Sequence, residues 1–148
     1  MTLPTQSFLA LAAVGWADGS LQKVEAVGLL RAARDSGLSE ADVAAVEAAT
    51  KTRPNLRELD LAGMSSWEQV LTFALGAWLA QADGVVSTDE HETLRALGDA
   101  LGLADPLRKR AAVAAYDVAC LPEAGRPERF DLAKLEARLR ERLPQIGA

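Results

Sequence analysis

The sequence predicts an all-α, single-domain helical bundle of seven to eight helices, built from two pseudo-symmetric helical-hairpin repeats. Three observations carry this expectation. Apolar residues recur at three- and four-residue spacing, and no stretch alternates convincingly with period two. Ala, Leu and Val dominate, aromatics make up 5%, and Ile and Thr are scarce, which favours helix. An apolar run followed by Ala-Asp-Gly and then a Glu is written twice. A length of 148 residues suits one domain, 1–148, with a sizeable core.

The elements follow in order. Residues 5–17 are apolar and Ala-rich, and Gly19 is a good stop. Residues 22–36 form a second helix, ended by Gly37. "SEAD" at 39–42 is a Ser-x-x-acid start signal for a third helix running towards Thr50. Pro54 opens a short irregular or single-turn segment, "PNLRELDL". "SSWEQVLTFALGAWLAQAD" is a long helix whose stripe is Trp67, Val70, Leu71, Ala74 and Trp78. Residues 88–101 follow, with Leu94, Leu97 and Leu101 on one side. "ADPLRKRAAVAAYDVAC" is next, with Pro106 acceptable in its first turn. A charged amphipathic helix over about 128–143, carrying Leu132, Leu135, Leu139 and Leu143, closes the chain.

A shift of 65 residues aligns the chain with itself without a gap. Phe8 falls on Phe73, Ala12 on Ala77, and Ala17-Asp18-Gly19 on Ala82-Asp83-Gly84. Glu25 falls on Glu90, Leu29 on Leu94, and Gly37-Leu38 on Gly102-Leu103. Repeat one spans about 5–50 and repeat two about 66–120. Two hairpins with one apolar side each bury those sides against one another, so a pseudo-twofold arrangement is expected.

The repeated motif is Asp-Gly-x-apolar-x-x-x-Glu, and two readings of it stand side by side. In the first it is a well-built corner. Gly19 and Gly84 end their helices in the left-handed conformation, and Ser87 with Glu90 forms a capping box. In the second the carboxylates hold a cation. Gln22 occupies the place of Ser87 in the first repeat, yet Glu25 is retained, so a capping box does not explain both Glu residues. Each Glu also extends the apolar face of its helix by one turn, where a carboxylate needs a partner. The motif matches the second half of an EF-hand loop. The first half is absent: its leading ligand positions would be Val14 and Trp16, or Leu79 and Gln81. Neither loop surrounds a cation alone. A shared site would combine Asp18, Glu25, Asp83 and Glu90, with Asp89 and Glu92 nearby. Hard oxygen ligands favour Ca²⁺, Mg²⁺ or Mn²⁺.

These residues resemble the TerB family of tellurite-resistance proteins and TerB-like domains. "AQADGVVSTDEHETLRALGDALGL", residues 80–103, is similar to the family's motif, and "VGWADGSLQKVEAVGLLRAARDSGL", residues 14–38, to its partner repeat. The resemblance covers roughly residues 5–120. It implies an all-α domain of two related halves with an acidic, metal-binding cluster. It also implies a non-enzymatic role in bacterial stress response: tolerance to tellurite and other toxic anions, and resistance to phage and colicins. The implied partners are other tellurite-resistance proteins, partly at the inner membrane surface. The implied motif positions are Asp18, Gly19, Glu25, Asp83, Gly84 and Glu90.

Composition weighs on the other classes. The formal charge is −5, divided between an acidic body and a basic end: residues 1–107 hold 7 Lys and Arg against 15 Asp and Glu. Such a body repels nucleic-acid phosphates. "RKR" at 108–110 reads first as a solvated helix face. The longest apolar runs, ten or eleven residues, are about half of a membrane span. No basic stretch precedes the first run, and Cys120 is alone, so a cytoplasmic protein without a disulfide is expected. His91 is the single His, beside Glu90 and Glu92, and reads as exposed rather than as a ligand. Cys120 reads as structural, and Trp16, Trp67 and Trp78 read as core. No phosphate loop or nucleophile elbow is present. The rival to an interaction module is a carboxylate-based metal-dependent hydrolase.

Overall fold

The computed structural model describes residues 3–17, 19, 21, 23–61, 63–81 and 88–119, together with 137, 140 and 141. The described residues are helical or loop, with no strand among them. They form α1 (Thr5–Gly15), α2 (Lys23–Asp35), α3 (Glu40–Lys51), α4 (Ser66–Gln81), α5 (Thr88–Leu101) and α6 (Asp105–Ala119). A single 3-10 turn, Leu56–Glu58, lies between α3 and α4. These are six α-helices, not the seven to eight expected. The Pro54 segment winds for one turn only, because Pro54 and the preceding extended residues give it no regular continuation. The expected last helix lies outside the described residues except Ala137, Arg140 and Glu141, which are helical.

Local chemistry sets the boundaries. Ser39 caps α3, its Oγ accepting from the Asp42 N–H at 3.2 Å. Ser65 and Glu68 form a capping box at α4: the Glu68 carboxylate accepts from the Ser65 N–H at 2.9 Å, and the Ser65 Oγ accepts from the Glu68 N–H at 3.2 Å. Gly37 and Gly102 follow α2 and α5 with φ of 84° and 70°. Each is the left-handed residue of a Schellman stop. In the first, Leu38 N–H donates to the Ala33 carbonyl and Gly37 N–H to that of Arg34; in the second, Leu103 N–H donates to Gly98 and Gly102 N–H to Asp99.

α1 and α4 are the central helices. Nine consecutive residues of α4, Leu71 to Leu79, are buried, as are Ala10 to Val14 of α1. These are the two most apolar stretches of the chain, and they read as apolar all round because neighbours cover them on every side. α1 packs against α2, α3, α4 and α5, while α4 packs against α1, α5 and α6. α2 also packs on α3. Trp67 and Trp78 are buried, as read from their stripe. Trp16 is half-buried and donates its indole N–H to the Ala49 carbonyl at 2.9 Å, tying the end of α1 to α3. Leu3 N–H donates to Ser36 Oγ at 2.6 Å, closing the chain's start onto the end of α2.

The register of 65 is visible in these facts. α2 and α5 start at Lys23 and Thr88, α3 and α6 at Glu40 and Asp105, and the left-handed glycines are Gly37 and Gly102. Each pair is 65 residues apart.

Candidate functional site

The centre of the molecule holds a pair of residues that are 65 apart and touch. Thr72 and Ser7, both fully buried, share a hydroxyl–hydroxyl hydrogen bond of 2.9 Å. The Thr72 hydroxyl also donates to the Glu68 carbonyl at 2.7 Å, and Met64 Sδ lies 3.5 Å from Ser7 Oγ. One turn further on, Leu11 and Gly76 form a second such pair. A Cβ placed on Gly76 would sit 3.6 Å from Leu11 Cδ2, 3.1 Å from Leu97 Cδ2 and 3.2 Å from Leu94 Cδ2. A full side chain on one helix therefore meets none on the other, which lets the two backbones come close.

These two contacts fix a direction. In an antiparallel pair, Ser7 would lie near residue 76 and Leu11 near residue 72. Here equal positions meet on two successive turns, so α1 and α4 do not oppose one another, and the chain leaves both at the same end. α1 stops four residues beyond Leu11 and α4 five beyond Gly76. At 1.5 Å per residue, both helices end roughly 6–8 Å past this contact.

The corner residues are only partly visible. Gly19 has the expected positive φ, 100°, is exposed, and donates its N–H to the Trp16 carbonyl at 2.8 Å. α1 ends earlier than expected, at Gly15 with Trp16 as its C-cap, so Gly19 lies within the corner and is not the residue that stops the helix. Asp18, Asp83, Gly84 and Ser87 lie outside the described residues, as does Cys120. Glu25 and Glu90 are each the third residue of their helix, in the first turns of α2 and α5, and their side chains are outside the described set. First-turn carboxylates are favoured by the helix dipole. Asp89 is exposed and its carbonyl accepts from Thr93 Oγ1 at 2.8 Å. Glu92 is exposed and turns to a cleft of about 460 Å³ that it shares with Arg53, between the Pro54 segment and α5. His91 is exposed, on the side of α5 that faces a groove beside α6. Among the described residues no three His, Cys, Asp or Glu side chains converge as metal ligands. Among them, too, no helix is long and apolar enough to cross a membrane.

Sequence reasoning missed one ordered polar device. Arg108, in "RKR", is not a solvated side chain. Only 19% exposed, it donates Nε–H to the Leu103 carbonyl at 2.8 Å and Nη2–H to Asp99 Oδ1 at 2.9 Å. Its guanidinium lies where a side chain at residue 98 would be: a Cβ on Gly98 would fall 2.7 Å from Arg108 Nε. The available signal was a glycine inside an otherwise strong helix pattern, which marks close approach. Lys109 and Arg110 are exposed, as expected of a solvated face.

Comparison of the chain with protein-family models, with curated proteins and with solved structures finds no match.

Proposed function

We propose that this chain is a TerB-like stress-response domain, built from two pseudo-symmetric repeats, that works by binding rather than by catalysis. In this reading it contributes to tolerance of tellurite and other toxic anions. It does so in the cytoplasm and at the inner membrane surface, together with other tellurite-resistance proteins. The Asp-Gly corners supply a divalent-cation site from Asp18, Glu25, Asp83 and Glu90, with Asp89 and Glu92 at its edge. One observation carries the proposal: equal positions of α1 and α4 meet on two successive turns, so both corners start from the same end of the central helix pair. Four carboxylates written at one end of a bundle repel one another unless a cation or protons compensate them. A Ca²⁺, Mg²⁺ or Mn²⁺ ion bound only by the folded state then stabilises it.

The test is thermal unfolding of chelator-treated protein with and without each cation. At 100 times the dissociation constant, binding adds about 2.7 kcal/mol, which for a chain of this length is roughly 5–10 °C in Tm. Glu90→Gln and Asp83→Asn are expected to shrink that shift, and Glu47→Gln, on the exposed face of α3, to leave it intact. No shift with any of the three cations at 10 mM would remove the site. The physiological half is tested by deleting the gene in its host and challenging with tellurite. Growth unchanged by the deletion would remove the stress-response role.

A further inference from the structure

A wedge-shaped groove of about 570 Å³ runs between α5 and α6 over α4. It exists because the two halves of the molecule differ. α3 packs on α1 and α6 on α4 alike, but α2 packs on α3 while the equivalent pair, α5 and α6, has little contact. The wedge is shut where α5 turns into α6. There Arg108 crosses from α6 to the Leu103 carbonyl and Asp99, lying over Gly98. The positions 65 residues earlier than Gly98 and Arg108 are Ala33 and Val43, with no cation to place.

Its floor is apolar, made by Phe73 and Ala77 of α4, with Leu94 and Ala112 low on the walls. Its rim is polar. Arg95 and His91 on α5 are exposed, and neither has an ion-pair or hydrogen-bond partner among the described residues. Tyr116 on α6 faces them with 42% exposure, a large exposed aromatic on a helix otherwise rich in Ala. Among the described residues the charges do not cancel: Asp99 already holds Arg108, and Asp105 is the one described acidic residue lining the groove, beside that same closed end. Among the described residues Arg95 is thus an uncompensated cation above an apolar floor, in a chain of formal charge −5.

We propose that this groove binds a small molecule carrying an apolar ring and a single carboxylate. The ring lies on Phe73 and Leu94, and the carboxylate meets the Arg95 guanidinium with His91 and the Tyr116 hydroxyl within the same rim. The volume is that of a small-molecule site. A guanidinium and a carboxylate match in charge and in planar fork geometry. A peptide helix is about 10–12 Å across and needs a groove open at both ends; the Arg108 crossing closes one. A polyanion such as nucleic acid needs several free cations along a track, and among the described residues lining the groove Arg95 is the one Lys or Arg not already paired.

The probe is 1-naphthoate, titrated into the full chain and followed by calorimetry and by amide chemical shifts. Saturable binding is expected, with shifts confined to the residues around Phe73, Leu94, Arg95, Ala112 and Tyr116. Arg95→Gln, an exposed substitution whose folding is checked by circular dichroism, should weaken binding about tenfold, the loss of one charge-assisted hydrogen bond. The neutral analogue 1-naphthamide should bind about tenfold more weakly to the unaltered chain. Arg34→Gln, exposed on α2, should change nothing. The proposal is overturned by no saturable binding at 10 mM, by shifts centred elsewhere, or by affinity that Arg95→Gln leaves unchanged. None of these outcomes depends on the cation site or on the stress-response role.

Discussion

Replacing Gly98 by Ala should destabilise this protein, although the same change in an ordinary exposed helix stabilises it. In α5 the substitution favours helix by about 1 kcal/mol. Against that, the new methyl would sit 2.7 Å from Arg108 Nε and 2.8 Å from Arg108 Cζ. The guanidinium is the end of a flexible side chain, so it moves instead of the backbone. Moving it aside stretches or breaks one or both of its hydrogen bonds. The Nε–H bond to the Leu103 carbonyl has a charged donor and is part-buried, and losing it costs about 1.5–3 kcal/mol. The Asp99 partner is 69% exposed, so that pair adds at most about 1 kcal/mol. The net expectation is a loss of about 1–2 kcal/mol in urea unfolding followed by circular dichroism. The sharper test is the sign in a second background. With Arg108→Ala the obstacle is gone, and Gly98→Ala should stabilise by about 1 kcal/mol, giving a coupling of about 2–3 kcal/mol. Gly98→Ala stabilising both backgrounds equally would refute the reasoning, because Arg108 would then not occupy that space.

Two further outcomes follow from the corner and the central pair. Gly19→Val should cost about 1–3 kcal/mol through backbone strain alone, since φ is 100° and no atom lies within 4 Å of the added Cβ; wild-type stability in chemical denaturation would remove the corner reading. Thr72→Val keeps the side-chain shape but removes the hydroxyl bonded to Ser7 and to the Glu68 carbonyl. It should cost about 1–3 kcal/mol, and Ser7→Ala added to it should restore part of that loss, because no hydroxyl is then left buried without its partner.

Much of the fold was legible in the sequence, for reasons that are local. Helix existence follows from three- and four-residue apolar spacing, and each described helix falls where that spacing is found. Gly37 and Gly102 stop their helices by a conformation that side chains resist, so the stops are set without reference to the rest of the chain. The Ser39 cap needs only its own next three residues, and the Ser65–Glu68 box obeys the same spacing rule. The repeated motif was legible, and Gly19 has the positive φ it predicts. Its carboxylates belong to a different level. Whether Asp18 and Asp83 meet is a question of distance between two corners, and no spacing along one chain contains that distance.

The tertiary structure alone decided the rest. That Ser7 meets Thr72 and Leu11 meets Gly76 follows from how two helices lie against each other, a choice settled by side-chain volume at the contact. Repetition by 65 residues marked these positions as equivalent but not as neighbours. Likewise "RKR" reads as three solvated cations, and only the close approach of α6 to the end of α5 turns one of them into a strut over a glycine. The groove beside that strut is the consequence of α6 lying on α4 with little contact to α5. A sequence states which surfaces must be buried. Which surfaces bury one another depends on the fit of whole helices, and the gaps where they do not fit are set by that fit alone.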